Sequence, residues 1–238
     1  MKDCSQIRIG IIGAMDEEVE LLRREAAAET PVRIADMDFC EGVFDGRPVV
    51  IAKCGVGKVN AAICAQIMIT RFQVSHIINT GVAGSLDTRV RIGDLVISTD
   101  AVQHDMDVTA FGCRRGEFLY SGLFAFPADE GLRRTARAAA EESGAGIGIF
   151  EGRVCSGDQF IASRAQKEDI KKTFDGMCCE MEGAAIAQVC HLNHTPWVIL
   201  RAISDCADDS EEISFNLFAK SAAQTSARIV RAFVSKVE

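Results

Sequence analysis

The chain has 238 residues, of which 48% are hydrophobic and 25% charged, and its 34 acidic against 26 basic residues give a net charge of −8. This composition predicts a sizeable hydrophobic core and excludes a largely disordered chain. The acidic balance and the lack of a basic run argue against a nucleic-acid partner or an anionic membrane surface. We expect one domain over residues 1–238, because single α/β domains often exceed about 200 residues.

The ten cysteines follow neither a CxxC motif nor a regular spacing. Cys54, Cys64, Cys155 and Cys190 lie in apolar segments, where a free cysteine behaves as a small hydrophobic residue. The chain shows no secretory signal and no apolar run near the roughly 20 residues of a membrane span. These features predict a cytoplasmic protein with reduced thiols and no membrane contact.

Buried strands alternate with helices along the chain, and one hairpin turns at Asp45-Gly46. Residues 7–14 predict the first strand, and three acids from Asp16 onward open the first helix. Further strands are predicted over residues 37–44, 49–53, 77–80, 94–99, 148–155 and 197–203. Further helices are predicted over residues 59–72 and 129–143 and in a charged segment before residue 178. Another predicted helix ends at about residue 191, and the last one begins at about residue 214. This alternation predicts an α/β fold with a central mixed, mostly parallel β-sheet flanked by helices, and residues 110–128 predict a long loop.

One stretch places two acids at the junction between a predicted buried strand and the start of a predicted helix. The apolar pair Cys178-Cys179 leads to Glu180 and Glu182, and a small-residue segment that opens a helix follows. On an extended strand the two glutamates point to the same face, and N–H groups at a helix start can hold a carboxylate ionised. Charged side chains at a buried junction are costly unless they are paired or used. The alternative is an acid that only complements the helix dipole.

Two nucleotide-binding motifs are excluded by their spacing. The run from Gly10 to Met15 lacks the GxGxxG pattern of a dinucleotide fold. Gly57-Lys58 is followed by Val59 instead of Ser or Thr, and Ala52 stands where a P-loop needs its first glycine. The sequence therefore predicts neither cofactor site.

Metal and nucleophile motifs are equally weak. His104 with Asp105 and Asp107 could ligate an ion, but a hydrogen-bonded turn or an interface is the favoured interpretation. No serine lies in a GxSxG elbow, and no cysteine has an activating neighbour. We therefore predict no metal site and no covalent nucleophile.

Three acids at chain turns remain, namely Glu18, Glu182 and Asp205. Separated carboxylates in a water-poor cleft suit hydrolysis through a cationic, oxocarbenium-like transition state. One carboxylate takes a proton from water, one donates a proton to the leaving group, and one binds sugar hydroxyls.

Seven motifs follow one another in order along nearly the whole chain. Together they closely resemble the 5′-methylthioadenosine/S-adenosylhomocysteine nucleosidases of the purine nucleoside phosphorylase-like superfamily. The motifs are Ile9–Glu18, Gly55–Val59, Asn79–Gly84, His104–Asp107, Ser156–Phe160, Glu180–Glu182 and Arg201–Asp205.

The resemblance implies a homodimer that hydrolyses the adenine–ribose bond of a small adenine nucleoside without metal or cofactor. Glu18 would be the general base on the attacking water, and Glu182 would hold the ribose hydroxyls. Asp205, with Ser204 beside it, would donate a proton to the imidazole-ring nitrogen of the departing adenine. These roles require a raised pKa for Asp205 and an ionised Glu18 at its helix start.

The resemblance also implies further substrate contacts. Met181 would pack on the sugar, Phe160 would stack on the adenine, and the Ile161 backbone would read its polar edge. Arg201 would organise the carboxylates. Met15 and Phe215 would line the 5′ pocket, and other substrate-binding positions would be Val82, Ala83, Gly84 and Glu180. Val56, Val108 and Phe111 would reach the 5′ pocket of the neighbouring subunit.

Two departures from the family pattern concern water and the 5′ group. Val82 stands where some members carry a hydroxyl residue near the water site. The loop over residues 113–126 lacks a proline that some relatives carry, which leaves the 5′-substituent preference open. Some relatives also cleave 6-amino-6-deoxyfutalosine, and 5′-deoxyadenosine is a further candidate substrate.

Two alternative functions were weighed. A phosphorolytic relative needs an arginine cluster for phosphate, whereas acids follow Gly13-Ala14-Met15 here and would repel that anion. A non-catalytic nucleoside-binding module on the same fold needs no acid–base pair, whereas Glu18 and Asp205 supply both groups. Hydrolysis is therefore the favoured prediction.

Overall fold

The computed structural model describes residues 7–143, 146–207 and 211–237, without the side chains of residues 211–217. Within these residues, ten strands and six helices alternate along the chain. The strands are β1 Ile9–Gly13, β2 Val32–Ile34, β3 Met37–Phe44, β4 Arg47–Lys53, β5 His76–Ser85, β6 Leu95–Gln103, β7 Phe126–Pro127, β8 Ile149–Ser156, β9 Cys178–Glu180 and β10 Trp197–Asp205. The helices are α1 Asp16–Glu25, α2 Lys58–Thr70, α3 Glu130–Glu142, α4 Arg164–Phe174, α5 Gly183–Asn193 and α6 Glu211–Val234.

All ten strands belong to one mixed sheet, which confirms the predicted fold class. Parallel pairings join β1 to β4 and β5, β5 to β10, β6 to β8, and β8 to β9. Antiparallel pairings join β10 to β6, β9 to β5, the predicted β3–β4 hairpin, and the short strands β2 and β7. Because β5 pairs with both β9 and β10, the strands β5, β10, β6, β8 and β9 close into a ring.

Helices cover both faces of the sheet, as expected for strands that are apolar on both sides. One core contains side chains of α1, α3 and α6, including Leu22 and Phe233. The other contains side chains of α2 and α5, including Met68 and Ile186. The strands between them read as continuous apolar runs, and all five residues of β1 are buried.

Several elements differ from the sequence prediction. β5 continues through residues 81–85, where glycines end the predicted strand, because these glycines make room for side chains packed on the strand. The short strand β2 was not predicted, since its residues are mostly exposed and carry no burial pattern. The loop over residues 110–128 is largely irregular, apart from a 3₁₀ turn at Thr109–Phe111 and β7.

Most cysteines among the described residues are buried. Burial raises the pKa of the Cys64 thiol to about 12 and that of Cys155 well above its usual value. These thiols pack as small apolar groups, as their apolar surroundings predicted. Among the described residues, none of the helices has both the length and the apolar character to span a membrane.

The buried strand β10 provides a test of the core. Replacing the fully buried Leu200 by Ala should lower the free energy of unfolding by about 2–5 kcal/mol, because it removes apolar contacts and leaves a cavity. Leu192→Ala is the matched control, since Leu192 is 66% exposed and should change stability by less than about 0.5 kcal/mol. Urea denaturation monitored by circular dichroism measures both values. Equal losses for the two variants would contradict the assignment of Leu200 to the core.

Candidate active site

A cavity of about 320 Å³ opens where β1, β5, β9 and β10 end. Most of the predicted site residues form its wall: Met15, Glu18, Val56, Val82, Ala83, Gly84, Phe160, Ile161, Glu180, Met181, Glu182, Arg201, Ser204 and Asp205. Ala14, Gln159 and Cys179 line it as well. They were not predicted as site residues, although Ala14 and Gln159 lie within two of the motifs and Cys179 adjoins a third. The carboxyl ends of parallel strands therefore converge on one site, as in other open α/β sheets.

The Glu18 carboxylate is held by backbone N–H groups from two places, the turn after β1 and the strand β5. Its Oε2 accepts hydrogen bonds from Ala14 N (2.6 Å) and Met15 N (3.0 Å), and its Oε1 accepts one from Val82 N (3.0 Å). Burial raises the pKa of Glu18, whereas Arg201 and these three N–H groups act to lower it. The helix start therefore does not alone decide its charge, because desolvation opposes it.

Arg201 lines the cavity, is almost fully buried and is surrounded by carboxylates. Its Nη2 donates to Glu180 Oε2 and to Asn79 Oδ1 (2.6 Å), and it lies 3.7 Å from Glu182 Oε2. Its Nη1 lies 3.9 Å from Glu18 Oε1. A Cβ at Gly81 would collide with both the Arg201 guanidinium and the Glu18 carboxylate, so glycine is required at this point of β5. The guanidinium therefore lies within 4 Å of carboxylate oxygens from three glutamates.

Glu180 and Glu182 both face the Arg201 guanidinium, but their backbone arrangement differs from the one predicted. They do not share a strand face, because β9 ends at Glu180 and Glu182 is the N-cap of α5. Glu180 accepts hydrogen bonds from Ser156 Oγ and from Gly183 N (Oε2, 2.8 Å), which closes the turn between strand and helix. This residue is a structural partner of Arg201 as well as part of the wall.

Glu182 is less completely paired than Glu180. Its Oε1 accepts a hydrogen bond from Gly57 N at 2.8 Å. Burial, and next the nearby charge of Glu180, raise the pKa of Glu182 to about 7. A buried carboxylate with one oxygen facing Arg201 at 3.7 Å has capacity left to accept hydrogen bonds from a polar ligand.

Asp205 ends β10 and lines the same cavity. Ser204 Oγ donates to its Oδ2 (2.7 Å) and Ala207 N donates to its Oδ1 (3.0 Å), so the carboxyl group is held in one orientation. The register of β10 against β5 shifts between Ile203 and Asp205, which places Asp205 opposite Gly84. A Cβ at Gly84 would lie 2.6 Å from Asp205 Oδ1. The glycine therefore leaves room for this carboxyl group.

The remaining predicted residues divide into three groups. Val56 lines the cavity of its own chain, in a loop where Gly55 and Gly57 have positive φ, and its contact with the neighbouring subunit's pocket stays a prediction. Among the described residues, the cavity wall does not include Val108 or Phe111. The side chain of Phe215 lies outside the described residues.

The His104 motif forms a turn in this structure. Asp107 Oδ1 accepts hydrogen bonds from both Thr109 N and Thr109 Oγ1, and Asp105 pairs with Lys58 at 2.7 Å. The imidazole of His104 is buried against Gly157, where a Cβ would collide with it. No group of three metal-ligating side chains occurs among the residues described. The turn interpretation of this motif is therefore the one the contacts support.

Comparisons with known proteins agree with this geometry. The phosphorylase superfamily is matched over residues 8–235. A 5′-methylthioadenosine/S-adenosylhomocysteine nucleosidase of Halalkalibacterium halodurans is 42% identical over 97% of this chain and 99% of its own length. The solved structure of the nucleosidase of that name from Neisseria meningitidis, in complex with methylthio-immucillin-A, has a TM-score of 0.91 and 40% identity and covers 95% of this chain and 98% of its own. A futalosine hydrolase structure from Helicobacter pylori has a TM-score of 0.92 and 34% identity, covering 97% and 98%. The chain therefore belongs to the 5′-methylthioadenosine/S-adenosylhomocysteine nucleosidase family of the phosphorylase superfamily.

Proposed function

We propose that the protein hydrolyses the N-ribosidic bond of 5′-methylthioadenosine and S-adenosylhomocysteine in the cytoplasm and releases adenine. The observation that carries this proposal is the meeting of Glu18, Glu182 and Asp205, distant in sequence, around one cavity. Family membership supports the substrate class. 5′-Deoxyadenosine and 6-amino-6-deoxyfutalosine are further candidate substrates, and the likeness to a futalosine hydrolase supports testing the latter.

Glu18 is the proposed general base on the attacking water. A base must be ionised to accept a proton, and Arg201 together with three N–H donors stabilises the ionised form. Burial opposes ionisation and thereby raises the basicity of the carboxylate. Activity that depends on ionised Glu18 should therefore be present at high pH and lost as the pH falls through its raised pKa.

Asp205 is the proposed general acid for the departing adenine. Adenine leaves poorly as an anion, so proton donation to its imidazole ring lowers the barrier. The Ser204 and Ala207 hydrogen bonds aim the carboxyl group from one side of the cavity. Phe160 and Ile161 line the same cavity and are the proposed contacts of the base.

Glu182 and Met181 are the proposed contacts of the ribose. The unshared acceptor capacity of Glu182 suits the two hydroxyl groups of the sugar. Arg201 lies 3.7 Å from Glu182 and stabilises its ionised carboxylate. The negative charge of that carboxylate is thereby kept near the position where the oxocarbenium ion develops. Met15 and Val56 supply an apolar wall for the 5′ substituent.

Phosphate is disfavoured as the nucleophile by the contacts of Glu18. The N–H groups at the start of α1 could bind an anion, but Glu18 occupies those of Ala14 and Met15. Arg201, the cation lining the cavity, is already engaged by Glu180. Water is therefore the proposed nucleophile.

The proposed acid is tested by Asp205→Asn. The amide cannot donate the proton, so adenine release should fall at least about a hundredfold while the fold is retained. Asp129→Asn is the matched control: Asp129 contacts the other end of β10 through Trp197 O, and asparagine also caps helices well. Adenine release is followed by its absorbance change. Turnover of Asp205→Asn within a few-fold of the native rate would remove this residue from the mechanism.

The proposed nucleophile is tested by varying phosphate. In phosphate-free buffer the protein should show full activity with methylthioadenosine and produce free methylthioribose, because no phosphate site is available. Added phosphate should change neither rate nor product, as resolved by chromatography. A rate that rises from near zero with phosphate concentration would establish phosphorolysis.

We further propose a homodimer in which each active site is completed by the partner chain. The exposed face of α2 carries Val59 and Ile63 one helical turn apart, and Val59 is 69% exposed. Phe111, also 69% exposed, follows the turn that Asp105 ties to the start of α2. Exposed apolar side chains grouped in this way are typical of an interface. Phe118, further along the same loop, packs against Phe126 of its own chain at a ring distance of 5.8 Å.

The dimer is tested by Phe111→Asp, which should dissociate the protein or weaken substrate binding by at least about tenfold, because a charge in an apolar interface is costly. Val43→Asp changes an exposed apolar residue on the β3–β4 hairpin and should have neither effect. Sedimentation equilibrium and steady-state kinetics measure the two properties. A native protein that is monomeric and fully active at assay concentration would contradict the proposal.

A further inference from the structure

Three charged residues outside the cavity wall form a closed ring of contacts. Lys58 Nζ donates to Asp105 Oδ1 (2.7 Å), Asp158 N donates to Asp105 Oδ2 (2.9 Å), and Lys58 N donates to Asp158 Oδ1 (2.8 Å). Lys58 begins α2 after β4, whereas Asp105 and Asp158 lie in the connections after β6 and β8. Each pair is therefore brought together only by the tertiary fold.

The ring is more than a surface ion pair. The side chains of Lys58 and Asp105 are 19% and 17% exposed, and Lys58 Nζ also donates to Gln103 Oε1 at 3.1 Å. Burial opposes ionisation of Asp105, but Lys58 and the Asp158 N–H hold its pKa below the usual value. A partly buried ion pair with its hydrogen bonds satisfied fixes geometry better than an exposed pair does.

The ring fixes the residue that holds Glu182. Gly57, next to Lys58, has φ of +99° and donates its N–H to Glu182 Oε1 at 2.8 Å. A Cβ at Gly57 would lie 3.1 Å from Asp158 Oδ1, so this carboxylate packs directly on the glycine. The N-cap Gly57 has no side chain with which to cap α2, and carboxylates from Asp158 and Glu182 accept the first N–H groups instead.

We infer that the ring of Lys58, Asp105 and Asp158 is a positioning device for the ribose site. It orients the Gly57 N–H, which in turn holds the Glu182 carboxylate toward the cavity. The three residues touch no reacting atom and act through Gly57 and Glu182. The inference rests on the proposed role of Glu182 as the group that binds the ribose hydroxyls.

The test compares methylthioadenosine with its 3′-deoxy analogue. If the ring acts through Glu182, opening the ring should impair the substrate that offers the hydroxyl more than the one that lacks it. Asp158→Ala removes the acceptor for Lys58 N. Asp105→Asn replaces one acceptor oxygen by a donor group, so the ring cannot close. For both variants the ratio of kcat/KM between the two substrates should fall about tenfold, the effect of losing one hydrogen bond to a charged group.

Two variants serve as controls. Asp158→Asn keeps the Oδ1 acceptor that Lys58 N uses and should restore the native ratio. Asp100→Asn removes the charge of an aspartate that is 23% exposed and paired with Arg153 at 2.6 Å, away from the cavity. It should lower stability as Asp105→Asn does, without changing the ratio.

The outcomes separate this inference from the proposed function. If Asp158→Ala and Asp105→Asn lowered kcat/KM equally for both substrates, the ring would have a purely structural role and the inference would be overturned. Native kcat/KM values for both substrates, and so an unchanged ratio, would overturn the inference as well. In either case the hydrolase proposal would stand. A native protein that releases no adenine would instead refute the proposed function. Asp158 is exposed, so Asp158→Ala should fold, and a circular dichroism spectrum verifies this.

Discussion

One buried guanidinium makes the cavity possible. Glu18, Glu180 and Glu182 approach one another under the strand ends, where mutual repulsion and desolvation would otherwise drive them apart or neutralise them. Arg201 contacts Glu180 directly and lies within 4 Å of the other two. Removing one partner from a buried ion pair commonly costs about 3–5 kcal/mol, because the remaining charge has no compensation. The carboxylates of the site therefore depend on this one guanidinium.

A single positive charge does not balance three carboxylates, and backbone dipoles supply the remainder. Glu18 accepts hydrogen bonds from N–H groups at the start of α1. Glu180 accepts one from Gly183 N at the start of α5, and Glu182 accepts one from Gly57 N before α2. The N-terminus of each helix carries partial positive charge. The site is thus a point where three helix starts converge on a common group of acids. Gly81 permits this convergence, because a Cβ there would collide with both Arg201 and Glu18.

The sequence predicted the sheet and the hairpin because these follow from local patterns, whereas most residues of the cavity wall were implied by the resemblance of seven ordered motifs to a known family. Apolar runs, the Asp45-Gly46 turn and motif order are readable in one dimension. The direction of Val56 and the packing of Phe118 depend on tertiary contacts, which no local pattern signals. The turn between Glu180 and Glu182 was missed, since a strand and a helix cap place the same residues differently. The ring of Lys58, Asp105 and Asp158 joins residues about 50 and 100 positions apart, and no local pattern signals it.

The closure of five strands into a ring has a consequence for how the chain acquires its site. β5 and β10, which flank the cavity, pair across more than a hundred residues, and β9 then joins β5 from the other side. Contacts between residues so far apart in sequence slow folding, because the entropy of closing long loops is lost before the contacts form. The cavity is therefore complete only when β10 has paired with β5. A nucleoside can bind only the completed protein, and by mass action its presence withdraws molecules from the partly folded population.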